Sequence, residues 1–159
     1  MDVLAIVKKL PRVQTRIGGN KMVNSYTNTS QSLAANQAIP FLINDVLTGC
    51  TVTHDAGSTT FVLNKPGFYQ VNFNGTGAVS GVASGSVTVT LYNNGSIVPG
   101  ATATQTSAST TDIRTVNFTR LIKVLPSCPA INNKASLVFT NTGDAATFSN
   151  VNVVITKLA

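Results

Sequence analysis

The sequence predicts an all-β sandwich, and three observations lead there. Glu is absent while Thr, Val, Asn, Ser, Ala and Gly dominate, a composition that favours strands and turns over helices. From Ile39 onward, short runs with two-residue apolar alternation recur between Gly, Pro and Asn punctuation. At 159 residues the chain has room for one domain with a real core.

Residues 1–38 read differently from the rest. Met1 to Leu10 is weakly periodic, Pro11 interrupts it, and Gly18-Gly19-Asn20 is a break. Asn24 to Ala38 is mostly Ser, Thr, Asn, Gln and Ala. The stretch is expected to be an N-terminal arm or linker that orders against a partner, with the head domain spanning 39–159.

Strands are expected in order at Ile39–Ile43, Thr51–His54 and Thr59–Leu63. The last is ended by the turn Asn64-Lys65-Pro66-Gly67. In Phe68–Asn74, Tyr69, Val71 and Phe73 alternate with polar residues and face the core, which puts Phe68 on the opposite face. Gly75–Gly85 reads as a loop. Ser86–Tyr92 follows, with Val87, Val89 and Leu91 inward and Thr88, Thr90 and Tyr92 outward. Asn93-Asn94-Gly95-Ser96 is a type I′ hairpin signal. Its return strand Ile97-Val98 is expected to stop at Pro99-Gly100, with Ala101–Ser107 as a thin edge strand. Thr115–Leu125 has a fault: the face carrying Val116 and Phe118 next meets Arg120. A bulge near Arg120 repairs it, and so does burial of both faces by a neighbouring subunit. Ala135–Thr140 and Val151–Lys157 close the chain.

Charged residues make up only 10% of the chain, against about 25% in ordinary domains. So few charges imply that part of the surface is covered by another subunit or a larger assembly. The net charge of +6 is uneven: residues 1–21 hold Lys8, Lys9, Arg12, Arg16 and Lys21 against Asp2. A basic arm suits nucleic acid or an acidic protein surface. This one lacks aromatics for base stacking and interleaves its charges with Val, Leu and Ile, so a protein surface is the expected partner. No secretory signal precedes the domain, and no run approaches the roughly 20 apolar residues of a membrane span. Synthesis in a host cytoplasm is expected. For Cys50 and Cys128, both two free thiols and a disulfide fit the sequence, the former being usual in a cytoplasmic product.

No catalytic constellation, metal site or cofactor motif emerges. His54 beside Asp55 invites a triad reading, but the Gly-x-Ser-x-Gly elbow is absent and strand neighbours face opposite ways. His54 is read as a surface or turn residue. Asp112, in a polar loop, is the one candidate calcium ligand, with no acidic cluster around it.

Ile39-Pro40-Phe41, Thr60-Phe61-Val62-Leu63 and Pro66-Gly67-Phe68-Tyr69-Gln70-Val71 resemble the opening strands of the tumour-necrosis-factor-like superfamily. The resemblance continues through Val89 to Gly100 and ends with Val153 to Ala159. Complement globular heads and the C-terminal domains of bacterial collagen-like surface glycoproteins are similar. The resemblance implies a ten-stranded jelly-roll β-sandwich that forms homotrimers and acts as a binding or display head without chemistry. Outward-facing Phe68, Tyr92, Leu121 and Val154, with Arg120, are the expected trimer-interface residues. No collagenous stalk precedes the head. An arm in its place resembles bacteriophage structural versions, with Lys8, Lys9, Arg12, Arg16 and Lys21 anchoring the trimer to a major capsid or other virion protein. The expected function is therefore a virion capsid decoration or fibre-head protein. A bacterial surface or spore-coat display protein, and a receptor- or glycan-binding module engaging host-cell surface glycans, are the alternatives.

Overall fold

The computed structural model describes residues 21–129 and 133–159. Twelve strands and no helix occur among them. They are β1 Met22–Thr27, β2 Gln31–Leu33, β3 Gln37–Ala38, β4 Ile43–Leu47, β5 Val52–Thr53, β6 Thr60–Leu63, β7 Gly67–Val79, β8 Gly85–Asn93, β9 Ser96–Ser107, β10 Arg114–Val124, β11 Ala135–Asn141 and β12 Ala146–Lys157. The first sheet runs β10-β7-β12-β1-β4, with β2 also on β12. The second runs β5-β6-β11-β8-β9, with β3 also on β11. Every pairing is antiparallel. The count exceeds the expected ten partly because short strands such as β2, β3 and β5 fill the edges.

The strands begin earlier than the expected boundary at residue 38. β1 pairs with β12 and with β4, so residues 22–38 are built into the sandwich. The inward side chains of β1 are Val23, Ser25 and Thr27, all essentially fully buried. The Thr27 hydroxyl donates to the Pro40 carbonyl at 3.1 Å and accepts from the Leu42 amide at 3.0 Å. A hydroxyl satisfied in this way is buried at little cost. Ile39 and Phe41 are buried but lie outside any strand, so the strand expected at Ile39–Ile43 is not there and β4 begins only at Ile43.

Tyr69, Val71 and Phe73 of β7 do face the core, and Phe68 points away at 46% exposure. The strand then runs on to Val79, into the first half of the segment expected to be a loop, because its glycines admit neighbouring backbone. A Cβ on Gly77 would stand 2.9 Å from the Thr147 carbonyl oxygen of β12. The Asn94-Gly95 turn is as expected, with φ of 49° and 80° at its two central residues. Its return strand does not stop at Pro99-Gly100. β9 carries through, and the extra residues are taken up by a register shift opposite Thr90 to Tyr92. Proline is tolerated there because β9 is an edge strand.

β10 pairs with β7 from Arg114 to Val124 without a shift, so the bulge expected near Arg120 is not there. Arg120 occupies a core-phase position at the sheet edge and escapes through the open side. Its guanidinium reaches Gly100 of β9, where an added Cβ would lie 3.4 Å from Nη1.

Aromatic rings fill the space between the sheets. Phe139 packs against Phe41, Phe61, Phe73 and Phe118 with centroids 5.6, 6.0, 5.2 and 6.2 Å away. Replacing Phe139 by Ala removes the ring shared by both sheets. It is expected to cost about 3–5 kcal/mol of unfolding free energy, measured by urea denaturation.

Candidate functional surfaces

Alternation places Phe68, Gln70, Asn72, Asn74 and Thr76 of β7 on the outer face of the first sheet. The registers put Leu121, Thr119, Asn117 and Thr115 of β10 beside them on one flank, and Thr156, Val154, Asn152 and Asn150 of β12 on the other. Met22, Asn24 and Tyr26 of β1 extend the rows. Across these four strands the only charged side chain on the face is Lys123, at one end over the Phe68 ring. Asp45 lies beyond, on edge strand β4. The amides bond laterally: Thr119 donates to Asn72 Oδ1 at 2.7 Å, and Asn152 Nδ2 donates to Asn24 Oδ1 at 2.7 Å. A hollow of about 210 Å³ opens among Asn74, Thr76, Thr115, Asn150 and Asn152.

Three of the five expected interface residues therefore share this surface: Phe68, Leu121 and Val154. Leu121 is 59% exposed and Val154 half-buried between Asn72 and Asn24. Arg120 is at the adjoining β9–β10 edge, bordering a cleft of about 270 Å³. Tyr92 is elsewhere, on the outer face of the second sheet opposite Val138. Of the expected anchoring residues, Lys8, Lys9, Arg12 and Arg16 lie outside the described residues. Lys21 is exposed just before β1, and its carbonyl accepts from the Lys157 amide at 3.0 Å.

His54 is not the surface residue the sequence suggested. It is 4% exposed, stacked on Phe61 at 4.0 Å and 14°. It follows buried Val52 by two positions and so shares its inward phase. Nε2 lies 3.1 Å from the Ser58 carbonyl oxygen. Nδ1 is 2.6 Å from Asn44 Oδ1 and 3.4 Å from Ser25 Oγ. This Ser–His contact has no access to a substrate, because Ser25 is fully buried. Asp112 is also engaged: its Oδ2 accepts from the Ala108 amide at 2.7 Å and from Arg114 at 2.7 and 3.0 Å. Those bonds, the Ala108 amide first, hold its carboxyl below the usual range. No group of three or more His, Cys or Asp side chains suited to a metal occurs among the described residues. Cys50 and Cys128 are exposed free thiols.

No family model matches the chain, and no curated protein sequence does. Solved structures do. The globular domain of zebrafish complement 1qA protein aligns over 89% of this chain and 98% of its own, with TM-score 0.60 and 10% identity. Eiger TNF from S. frugiperda aligns over 87% and 94%, with TM-score 0.57 and 12% identity. The PRD1 vertex protein P5 aligns over 89% and 100%, with TM-score 0.50 and 17% identity. The fold is the jelly roll of TNF-like and C1q-like globular domains.

His54 also gives the fold a pH dependence. Burial lowers its pKa below 6.5, partly offset by the Ser58 carbonyl and the Asp55 charge. The unfolded chain therefore binds the proton more readily than the folded one. Stability is fully present above about pH 6.5 and falls as the pH drops from there towards the lowered folded value, by at most about 1.4 kcal/mol per pH unit. Calorimetric melting between pH 7.5 and 5 is expected to show this decline, and His54→Gln is expected to flatten it.

Proposed function

We propose that this chain is a non-enzymatic virion structural protein, a trimeric head that decorates a capsid or tips a fibre. The observation that carries the reading is the nearly charge-free outer face of the first sheet, four strands wide. Surface of that extent normally carries charged side chains. The cores of protein interfaces are depleted in charge, because an uncharged amide already bonded to its neighbour is cheaper to desolvate than an ion. Phe68, Leu121 and Val154 add apolar area to the same face. Closure as a trimer follows the resemblance to the TNF-like superfamily. The shared fold with a vertex protein supports a place on a particle.

Docking is assigned to residues 1–21, which hold +4 of the net charge of +6 and precede β1. Their partner would be an acidic patch on a major capsid or other virion protein. The second sheet and the loops at residues 80–84 and 108–113 then face outward.

Two variants test the two halves of this reading. Val154→Asp puts a carboxylate among amides, where an unpaired buried charge costs about 3–5 kcal/mol. Light scattering after gel filtration is expected to show a single-chain mass with the strand signal in circular dichroism retained. An assembly as large as the native one would contradict the interface. Deleting residues 2–20 is expected to abolish co-sedimentation with particles and leave the assembly mass per chain number unchanged. Undiminished decoration by the truncated protein would contradict the anchor.

A further inference from the structure

The outer face of the second sheet carries a separate feature. Tyr92 of β8 stands opposite Val138 of β11 and beside Ile97 of β9. Together with Asn36, Gly95 and Thr140, Tyr92 and Val138 line a cavity of about 320 Å³. This is the lower end of the range for small-molecule sites, which pair an aromatic or apolar floor with a few fixed polar groups.

Both walls are tied to β11 by hydrogen bonds. Asn36 holds a left-handed conformation, φ 64°, with its amide donating to the Asn141 carbonyl at 2.6 Å. The Asn94-Gly95 turn is pinned by the Asn94 amide donating to the Ser136 carbonyl and the Ser136 amide donating to Asn94 Oδ1, each 2.8 Å. Nothing lies within 4 Å of where a Gly95 Cβ would be, so the mouth is open.

The polar groups divide into two sets. Alongside the cavity, Thr88, Thr90, Thr102, Thr104 and Thr142 satisfy one another: Thr88 bonds Thr104 at 3.0 Å, and Thr90 bonds Thr102 at 3.1 Å and Thr142 at 2.8 Å. Thr88 and Thr90, outward as expected, are only 9% and 4% exposed, and these bonds satisfy their hydroxyls. In the cavity itself, the Asn36 amide, the Tyr92 hydroxyl and the Thr140 hydroxyl make no side-chain hydrogen bond to any described residue. Among the described residues, no charged side chain lines it.

An aromatic ring and a valine, ringed by unpaired amide and hydroxyl groups without charge, match one ligand chemistry. A neutral pyranose offers an apolar C–H face to stack on Tyr92 and hydroxyls that both donate and accept. We infer that the Tyr92–Asn36–Thr140 cavity binds a neutral sugar ring. The site lies within one chain on the face opposite the proposed assembly surface, so it stands or falls independently of that assembly.

The test is titration of the ¹⁵N-labelled full chain with glucose, galactose, mannose and N-acetylglucosamine, followed by amide shifts. At least one sugar is expected to shift Asn36, Tyr92, Gly95 and Thr140 with a dissociation constant of about 1 mM. Tyr92→Ala is expected to weaken binding about tenfold through lost stacking. Asn36→Gly keeps the left-handed turn and deletes the amide, and is expected to weaken binding about three- to tenfold with no loss of thermal stability. Neutral oligosaccharides ending in the same sugar separate the two sources: tighter binding assigns the end of a glycan chain, equal binding a free saccharide. Absence of shifts with all four sugars, shifts mapping elsewhere, or Asn36→Gly binding as tightly as the native chain would overturn the site.

Discussion

The structure depends on the aromatic contact between its two sheets. Phe73 from the first sheet and Phe61 and Phe139 from the second meet in one cluster, joined by Phe41 and Phe118. Phe61, Phe73, Phe118 and Phe139 are fixed by strand alternation, so the contact sets which face of β6, β7, β10 and β11 points inward. A shift of one residue in β7 or β11 would expose an aromatic residue and bury a polar one. His54 extends the cluster by stacking on Phe61, and its ring nitrogens tie the loop at Ser58 to Asn44 on β4.

Once the inward faces are fixed, the two outer faces take opposite roles. That of the first sheet is broad, nearly uncharged and bonded sideways through amides, with Phe68, Leu121 and Val154 among them. That of the second sheet carries a self-satisfied threonine array beside a small cavity with unpaired polar groups. The proposed division follows: one face joins copies of the chain, the other meets ligands, and the basic residues before β1 determine where the assembly docks.

Much of the fold was legible because its signals are local. The Asn94-Gly95 turn needs two positive φ values, and Asn and Gly supply them. Tyr69, Val71 and Phe73 read as inward from spacing alone. What was not legible depended on neighbours distant in sequence. Ser25 and Thr27 are inward on β1, but apolar alternation is blind to a buried hydroxyl whose partner comes from another segment. Gly77 looked like a loop residue, yet it is there because β12 backbone passes too close for a Cβ. Arg120 looked like a register fault, since nothing in the sequence marks β10 as an edge strand with an open side. Tyr92 was grouped with Phe68 and Val154 by outward direction, and only the sheet order puts it on the opposite side of the sandwich.

The central claim is that the nearly uncharged face of the first sheet is covered by copies of the same chain. Sedimentation equilibrium of the native protein at micromolar concentration tests it most directly. The account predicts a mass three times the 16.5 kDa of one chain. A single-chain mass throughout that concentration range would contradict it.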